Sequence, residues 1–423
     1  MKGEGVVLIA TKQRLLFFDV TKLKDLPYTD TEVPTPPLPV VKAFNFVEKG
    51  FPFGAGFFVW ESKLYMVGGE KTRGGLSEEE LCTPSNNNLD KSFGTRGLSP
   101  YIYFSDLTKL DSITEFRKHS LTMLAPKTSP IIEEIEGEIY VLSGPACHYD
   151  GLLPNPSFES YDPSLDQLEA LDLPHFHWEN CYNDPEYLVH GHSVVGTDIF
   201  VLAGEQYYSY SIKDRTWFHE LGEIPIPRPL LPGFSGKFVP AYNDIFICFR
   251  LHALFAVKLP SDGGPSLIQF LDEVYKDNFF LDLDSLRGVV VAIGEYEMCI
   301  IRPKIVDINN VIIPRIYVAT FLVEKLDSSA PAPKRAKIAS DSQTFHHSHD
   351  VQDSNDSASI QDSDSLSRIQ DSDDSEPFLS VTCLSKGFYT LPEQWGHEKP
   401  QICSAFFHPW SVFTLVSLCT LLV

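Results

Sequence analysis

The side chains best suited to bind a metal ion are concentrated between residues 175 and 192. Two His-x-His pairs delimit this segment, His175 with His177 and His190 with His192. Between the pairs lie four more residues of ligand type: Glu179, Cys181, Asp184 and Glu186. Alternate residues of an extended strand point to the same side, so each pair can present two imidazoles to one metal ion. Two interpretations stay open, a metal site that uses these four histidines and a polar loop at the entrance of a repeat unit.

Other signatures of catalysis or of cofactor binding are missing from the sequence. It contains no G-x-S-x-G, Walker or H-E-x-x-H motif. None of the eight cysteines belongs to a C-x-x-C pair, so we expect reduced thiols and neither a zinc ribbon nor a redox pair. The net charge of −23 argues against a surface that binds nucleic-acid phosphates. We therefore expect no cofactor and no nucleic acid, and partners that are proteins or small molecules.

A strand–turn–strand pattern recurs along the first three quarters of the chain. Windows of equal length that share this pattern begin at Gly56, Ile131, Gly191, Gly236 and Leu281. In each window a moderately apolar run, a small or polar break and a second apolar run follow one another. Further apolar runs bring each unit to about four strands. The recurrence predicts an all-β fold, a β-propeller of about six four-stranded blades over residues 1–326.

Three local motifs make this propeller resemble the kelch-repeat family, whose architecture is also found in galactose oxidase. Gly68-Gly69 matches the Gly doublet that closes the second strand of a kelch unit. Tyr210 and Trp217 match the aromatic pair of the third and fourth strands, and Tyr161 with Leu168 resembles an altered copy of that pair. The resemblance covers about residues 1–326.

The kelch resemblance implies a non-enzymatic protein that recognises a client or acts as a scaffold, including as a ubiquitin-ligase adaptor. No F-box or BTB region precedes the units in this sequence. The resemblance implies a monomeric propeller that binds its partner on the face where the long loops lie. The residues expected on that face are Arg73, His148, Tyr149, His175, His177, Trp178, Tyr182 and His190. The alternative functions are a metal-dependent small-molecule enzyme that uses the His175–His192 segment and a membrane-tethered scaffold.

Residues 327–376 differ in composition from the repeat region and are predicted to be disordered. They contain a basic cluster, Lys334, Arg335 and Lys337, which resembles a nuclear-import signal and is open to a second interpretation as a solvated linker. Three acidic nonapeptides follow, with too few apolar residues to form a core. Serines beside acidic residues there are candidates for phosphorylation: Ser354, Ser363, Ser372 and Ser375. The predicted location is the nucleus, the cytoplasm or both.

Residues 377–423 form a third segment whose end is apolar. We predict a strand over Phe378–Leu384 that completes the opening unit, which lacks a first strand of its own. The uncharged stretch 403–423 is long enough to be a C-terminal membrane anchor. His408, Pro409 and several Ser and Thr residues favour the other interpretations, a buried strand or a poorly packed terminus.

Overall fold

The computed structural model of the protein describes most of the repeat region and two segments near its end. The described residues are 5–11, 14–23, 35–45, 48–72, 96–108, 116–127, 129–144, 154–174, 176, 189–203, 206–219, 234–250, 253–258, 267–271, 288–308, 311–326, 378–391 and 402–409. Over these residues the secondary structure is β-strand, apart from one short 3-10 helix at Val20–Lys22. The prediction of an all-β fold is confirmed.

The strands form antiparallel meanders of four. The first sheet contains β1 (Gly5–Thr11), β2 (Arg14–Asp19) and β3 (Val40–Asn45). The second contains β4 (Gly56–Trp60), β5 (Lys63–Val67), β8 (Tyr101–Asp106) and β9 (Arg117–Thr122), and a separate hairpin, β6 (Glu70–Thr72) with β7 (Arg96–Leu98), lies in the connection between β5 and β8. The third contains β10 (Ile131–Ile135), β11 (Glu138–Leu142), β12 (Phe158–Asp162) and β13 (Gln167–Ala170).

The remaining strands form an eight-stranded sheet, a last four-stranded sheet and the fourth strand of the first sheet. An eight-stranded sheet contains β14 (Val189–Val195), β15 (Asp198–Ala203), β16 (Gln206–Ser211), β17 (Thr216–His219), β18 (Phe234–Tyr242), β19 (Ile245–Arg250), β20 (Ala253–Lys258) and β21 (Leu267–Phe270). The last sheet contains β22 (Val289–Ala292), β23 (Glu297–Ile308), β24 (Val311–Lys325) and β25 (Leu379–Thr390). Strand β26 (Ile402–Pro409) joins the first sheet, in the order β26-β1-β2-β3.

The first strands of these meanders form a closed ring, as expected for a β-propeller. Strand β26 contacts β4, and the contacts continue through β10, β14, β18 and β22 back to β26. Four sheets are separate four-stranded blades, so the prediction of about six separate blades differs from the structure. The difference arises because β14 and β18 pair in parallel, Gly191 with Gly236 and His192 with Lys237, and join two four-stranded meanders into one sheet.

The opening blade is completed by residues from the other end of the chain. Strand β26 pairs antiparallel with β1, from Gly5 opposite Pro409 to Thr11 opposite Ile402. Of the segment Phe378–Leu384, predicted to supply this strand, residues 379–384 lie instead in β25 of the last sheet. Residues 402–409 are thus a strand of the propeller, and they overlap the stretch 403–423 that was considered as a membrane anchor.

Four of the predicted strand pairs coincide with the first and second strands of a meander. They are the windows that begin at Gly56, Ile131, Gly191 and Gly236. The window at Leu281 differs, because its closing apolar run is β22, the first strand of its sheet and not the second.

Side chains on both faces of the blades are buried against the neighbouring blades. In β5, Leu64 and Met66 belong to a core cluster shared with the first sheet, whereas Tyr65 and Val67 belong to a cluster shared with the third. This alternation follows from the two-residue period of a strand. Trp217 is buried between blades in the same way, and its Nε1 donates a hydrogen bond to the carbonyl oxygen of Asp172, 3.1 Å away.

The chain divides into two compact units. The first contains Met1–Glu324 and Val381–Val423, and the second contains Lys325–Ser380. Of the second unit the structure describes residues 325–326 and 378–380, where the amide of Leu326 donates a hydrogen bond to the carbonyl of Phe378.

Candidate functional site

The strand order determines which connections share an end of the propeller. Because successive strands of a meander are antiparallel, the second-to-third connections and those that lead to the next first strand lie at one end. The long connections 68–100, 143–157 and 171–188 all belong to these two classes. We call this end the long-loop rim. The opposite end carries tight turns between first and second strands, at residues 61–62, 136–137, 196–197 and 243–244, and we call it the short-turn rim.

A long hairpin also extends toward the long-loop rim. Strand β22 pairs with β23 only from Met298 to Ile301, but β23 continues to Ile308 and is paired with β24 as far as Ile308 opposite Val311. Since β23 and β24 are the second and third strands of their sheet, the turn between them lies at the long-loop rim. The hairpin therefore extends at that rim beyond Val289, the first residue of β22.

Most residues predicted for partner binding lie outside the described residues. These are Arg73, His148, Tyr149, His175, His177, Trp178 and Tyr182. The backbone of His190 lies in β14, but its side chain is not among those that the structure describes. Phe176, between His175 and His177, is described: it is buried, and its ring lies 4.8 Å from that of Tyr208 and 5.4 Å from that of Trp217. Phe176 thus attaches the 171–188 connection to the core, at the position between His175 and His177 in the sequence.

A polar cluster formed by Glu133, His192 and Lys237 connects three successive first strands. Glu133 lies on β10, His192 on β14 and Lys237 on β18, each near the middle of its strand. The Nζ of Lys237 donates to Oε2 of Glu133 at 2.5 Å, and Nε2 of His192 lies 3.3 Å from Oε1 of Glu133. The side chain of Glu133 is 3% exposed and that of Lys237 is 48% exposed. We call these three residues the inner-strand cluster.

His192 is uncharged at neutral pH in this environment. Burial lowers the pKa of His192 to about 4, the positive charge of Lys237 lowers it further, and Glu133 opposes both effects. The contact between His192 and Glu133 is therefore not an ion pair at neutral pH. Oε1 of Glu133 is buried and accepts no hydrogen bond from the described residues. With one carboxylate, one ammonium and a neutral imidazole, the cluster has no net charge.

Of the four histidines considered as metal ligands, only His192 has a described side chain. It contacts Glu133, with Lys237 on the other side of that carboxylate. Within the described ranges, no group of three or more His, Cys, Asp or Glu side chains is arranged to hold a metal ion.

Sequence reasoning identified His192 but not its two partners. A signal for them exists, because Glu133, which is followed by Glu134, and Lys237 are charged residues inside largely apolar runs that become first strands. A charged residue in such a run needs a partner when it is buried. The partners could not be matched, since Glu133 and Lys237 are 104 residues apart in sequence.

The tail residues proposed for import and phosphorylation lie outside the described part of the chain. These are Lys334, Arg335, Lys337, Ser354, Ser363, Ser372 and Ser375. Among the residues whose placement is described, no helix has the length and apolar character needed to cross a membrane.

Comparisons with known proteins identify no family. No protein-family model matches the chain, and no curated protein matches it. Among solved structures it is similar to YjhT, with 12% identity, coverage of 75% of this chain and 95% of YjhT, and a TM-score of 0.39. It is also similar to apo AztD from Citrobacter koseri, with 10% identity, coverage of 74% and 91%, and a TM-score of 0.32. Such values carry no argument about function, and the assignment of a propeller depends on the strand pairing described above.

Proposed function

We propose that this protein is a non-enzymatic propeller that holds a partner protein on its long-loop rim. The observation that carries the proposal is the strand order, which puts the connections 68–100, 143–157 and 171–188 at the same end as the β23–β24 hairpin. Binding residues of repeat proteins concentrate on loops that a rigid scaffold positions. On the kelch-type resemblance, the role is client recognition or scaffolding, including that of a ubiquitin-ligase adaptor.

Insertions at the two rims test this proposal. The same small folded tag is inserted between Asn309 and Asn310 at the long-loop rim or between Gly196 and Thr197 at the short-turn rim. The turn at 196–197 is exposed, and exposed turns tolerate insertions. Proximity labelling in cells then identifies associated proteins. We expect one or more proteins to be labelled by the wild type and the 196/197 insertion, and to be lost with the 309/310 insertion. Equal labelling by both insertions, or no labelled partner, contradicts the proposal.

A second candidate function, binding or conversion of a small molecule near the axis, is favoured by the inner-strand cluster. Glu133 has a buried oxygen without a hydrogen-bond partner among the described residues, beside a neutral imidazole and a lysine whose side chain is half exposed. The metal-dependent form of this function uses His175, His177, His190 and His192. Metal analysis of the purified protein distinguishes the two functions: stoichiometric iron or copper that is lost in His175→Ala and His190→Ala supports the enzyme.

The location of the protein is proposed from its tail. Import through Lys334, Arg335 and Lys337 predicts that a fluorescent fusion leaves the nucleus when all three are replaced by Ala. A membrane-tethered scaffold predicts that the fusion leaves membranes when residues 410–423 are removed. The deletion begins at 410 because residues 402–409 form β26 of the opening blade.

A further inference from the structure

Arg315 is a buried arginine without a partner among the described residues. It lies on β24 and is 4% exposed, and its Nε is buried and donates no hydrogen bond. Within the part of the chain that the structure describes, Arg315 forms neither a hydrogen bond nor an ion pair. A guanidinium is always charged in proteins, and a buried charge is costly unless an opposite charge accompanies it. Arg315 therefore has a positive charge and a donor that the described residues do not use.

The strand register determines the face of the last sheet on which Arg315 lies. Ile316 and Val318 belong to a core cluster that the last sheet shares with the first. Since successive residues of a strand point to opposite faces, Arg315 and Tyr317 lie on the other face. Arg302 of β23 pairs with Tyr317, so it lies on that face as well. Arg302 is 1% exposed but already interacts within the chain, and Arg315 is therefore the cation of this face that we consider.

Arg315 lies toward the long-loop rim. The pairing of β22 with β23 ends at that rim with Val289 opposite Ile301, one residue before Arg302. On β24, Arg315 is two residues closer to the turn of the hairpin than Tyr317, the partner of Arg302. Arg315 thus belongs to the part of the β23–β24 hairpin that extends beyond the first strand of its sheet.

We propose that Arg315 binds a carboxylate at the long-loop rim. The planar guanidinium can donate two parallel hydrogen bonds to the two oxygens of a carboxylate, with Nε–H as one of the donors. Charge favours a carboxylate over a phosphate, because one guanidinium neutralises a monoanion but leaves a phosphate dianion with an uncompensated charge. The same face carries the buried rings of Tyr317 and Phe388, whose centroids are 5.2 Å apart and near which such a charge is costly. The inference goes beyond the proposed function, since a carboxylate of a small molecule or of a bound protein satisfies it.

The test compares the unfolding of the full chain in sodium acetate and in sodium chloride of equal concentration at neutral pH. Acetate is the simplest stable carboxylate that can occupy the site without a partner protein. A ligand that binds only the folded state raises the folding constant about tenfold when its concentration is about ten times its dissociation constant. We expect acetate at about 100 mM to stabilise the wild type by about this factor relative to chloride, as measured by urea denaturation.

Two replacements of Arg315 separate the site from general effects of salt. Arg315→Met removes an unpaired buried charge, so this variant is expected to be at least as stable as the wild type in chloride. Acetate should then stabilise the Met variant no more than chloride does. Arg315→Lys keeps the charge but lacks the planar pair of donors, and its gain in acetate is expected to be smaller than that of the wild type.

Arg215 provides a matched control. Its Nη2 lies 2.7 Å from Oε2 of Glu169, and its side chain is 51% exposed. Arg215→Met is expected to keep the full gain in acetate. The inference is wrong if R315M fails to fold or is less stable than the wild type in chloride, since Arg315 then has a partner within the chain. It is also wrong if acetate stabilises R315M as much as the wild type, or if the gain of the wild type over R315M is larger in phosphate than in acetate.

The source of the carboxylate is identified by proximity labelling with R315M. Loss of a protein that the wild type labels assigns the carboxylate to that protein, whereas an unchanged set of labelled proteins assigns it to a small molecule. Because the acetate experiment uses the purified chain alone, its failure is distinguishable from failure of the proposed function, which the insertions at 309/310 and 196/197 test.

Discussion

Lys127 and Glu159 form an ion pair from which solvent is excluded. The Nζ of Lys127 donates to Oε1 of Glu159 at 2.5 Å, and both side chains are 0% exposed. Lys127 donates also to the carbonyl of Ala125, and the other carboxylate oxygen accepts the amide of Leu124. Burial raises the pKa of Glu159, and Lys127 opposes this effect. Since Lys127 precedes β10 and Glu159 lies on β12, the pair fixes the connection from the second blade against the third.

Replacement of Glu159 is expected to cost much more stability than replacement of an exposed glutamate in the same blade. Glu159→Gln removes the carboxylate that is paired with the buried ammonium of Lys127, which predicts a loss of about 3–5 kcal/mol in the free energy of unfolding. Glu169→Gln breaks an exposed pair with Arg215, whose atoms are 2.7 Å apart, and is expected to cost less than about 1 kcal/mol. Urea denaturation of both variants measures the difference. Equal losses would show that the burial of the first pair has no energetic consequence.

The neutral state of His192 predicts a specific dependence of stability on pH. The pKa is about 4 in the folded protein and has its ordinary value of 6.5 in the unfolded chain. Below pH 6.5 the unfolded state therefore binds more protons, so this group destabilises the fold increasingly as the pH falls, until the effect levels off below 4. The expected contribution between pH 7 and pH 5 is a loss of about 2 kcal/mol.

The control for this prediction is His192→Asn, which removes the titrating group beside Glu133. Denaturant unfolding at pH 7 and pH 5 should show a smaller loss for the variant than for the wild type. If the two proteins lose the same stability over this interval, the imidazole is not held in its neutral form.

The strand pairs of the propeller are predictable because they are local in sequence. In the windows that begin at Gly56, Ile131, Gly191 and Gly236, the small or polar break is the turn between a first and a second strand. The apolar runs on either side are buried on both faces because a blade has a neighbour on each side. One hairpin can be identified from its own residues, without knowledge of the others.

Contacts between residues that are distant in sequence are not predictable in this way. The apolar composition of residues 403–423 fits a membrane anchor and a buried strand equally well. That residues 402–409 form a strand is shown only by their pairing with β1. The inner-strand cluster has the same limitation. Glu133 and Lys237 are recognisable as charged residues in apolar runs, but their pairing depends on the arrangement of three blades around the ring.

The glycine doublet Gly68-Gly69 is required by the backbone conformation and by the lack of space. The φ angles are +67° and +89°. A Cβ on Gly68 would lie 2.3 Å from the carbonyl oxygen of Lys127, and one on Gly69 would lie 2.7 Å from that of Phe53. Gly68→Ala is therefore expected to cost more than about 3 kcal/mol, from the positive φ and the displaced backbone together.

Gly196 separates these two effects. Its φ is +63°, but no atom lies within 4 Å of a Cβ built on it. Gly196→Ala should cost about 1 kcal/mol, the contribution of the backbone conformation alone. Thermal unfolding of the two variants gives the comparison, and similar losses would mean that the carbonyl of Lys127 moves away at little cost.

Closure of the ring by β26 predicts a sharp difference between two truncations. Removal of residues 402–423 takes away the strand paired with β1, from which Val6, Val7, Leu8, Ile9 and Ala10 contribute to the buried core. The exposed edge has unpaired backbone groups and invites association with other chains. We expect residues 1–401 to lose more than about 4 kcal/mol of stability and to form oligomers, as seen by size-exclusion chromatography and thermal unfolding.

Residues 1–409 provide the matched chain, because they retain β26 and all its pairs with β1. This truncation should remain monomeric and unfold in a single transition near that of the full chain. Similar behaviour of the two truncations would show that the pairing from Gly5–Pro409 to Thr11–Ile402 contributes little to closure. Failure of only the shorter chain would establish that the two ends of the sequence hold the propeller closed, since the eight residues that distinguish the truncations are those of β26.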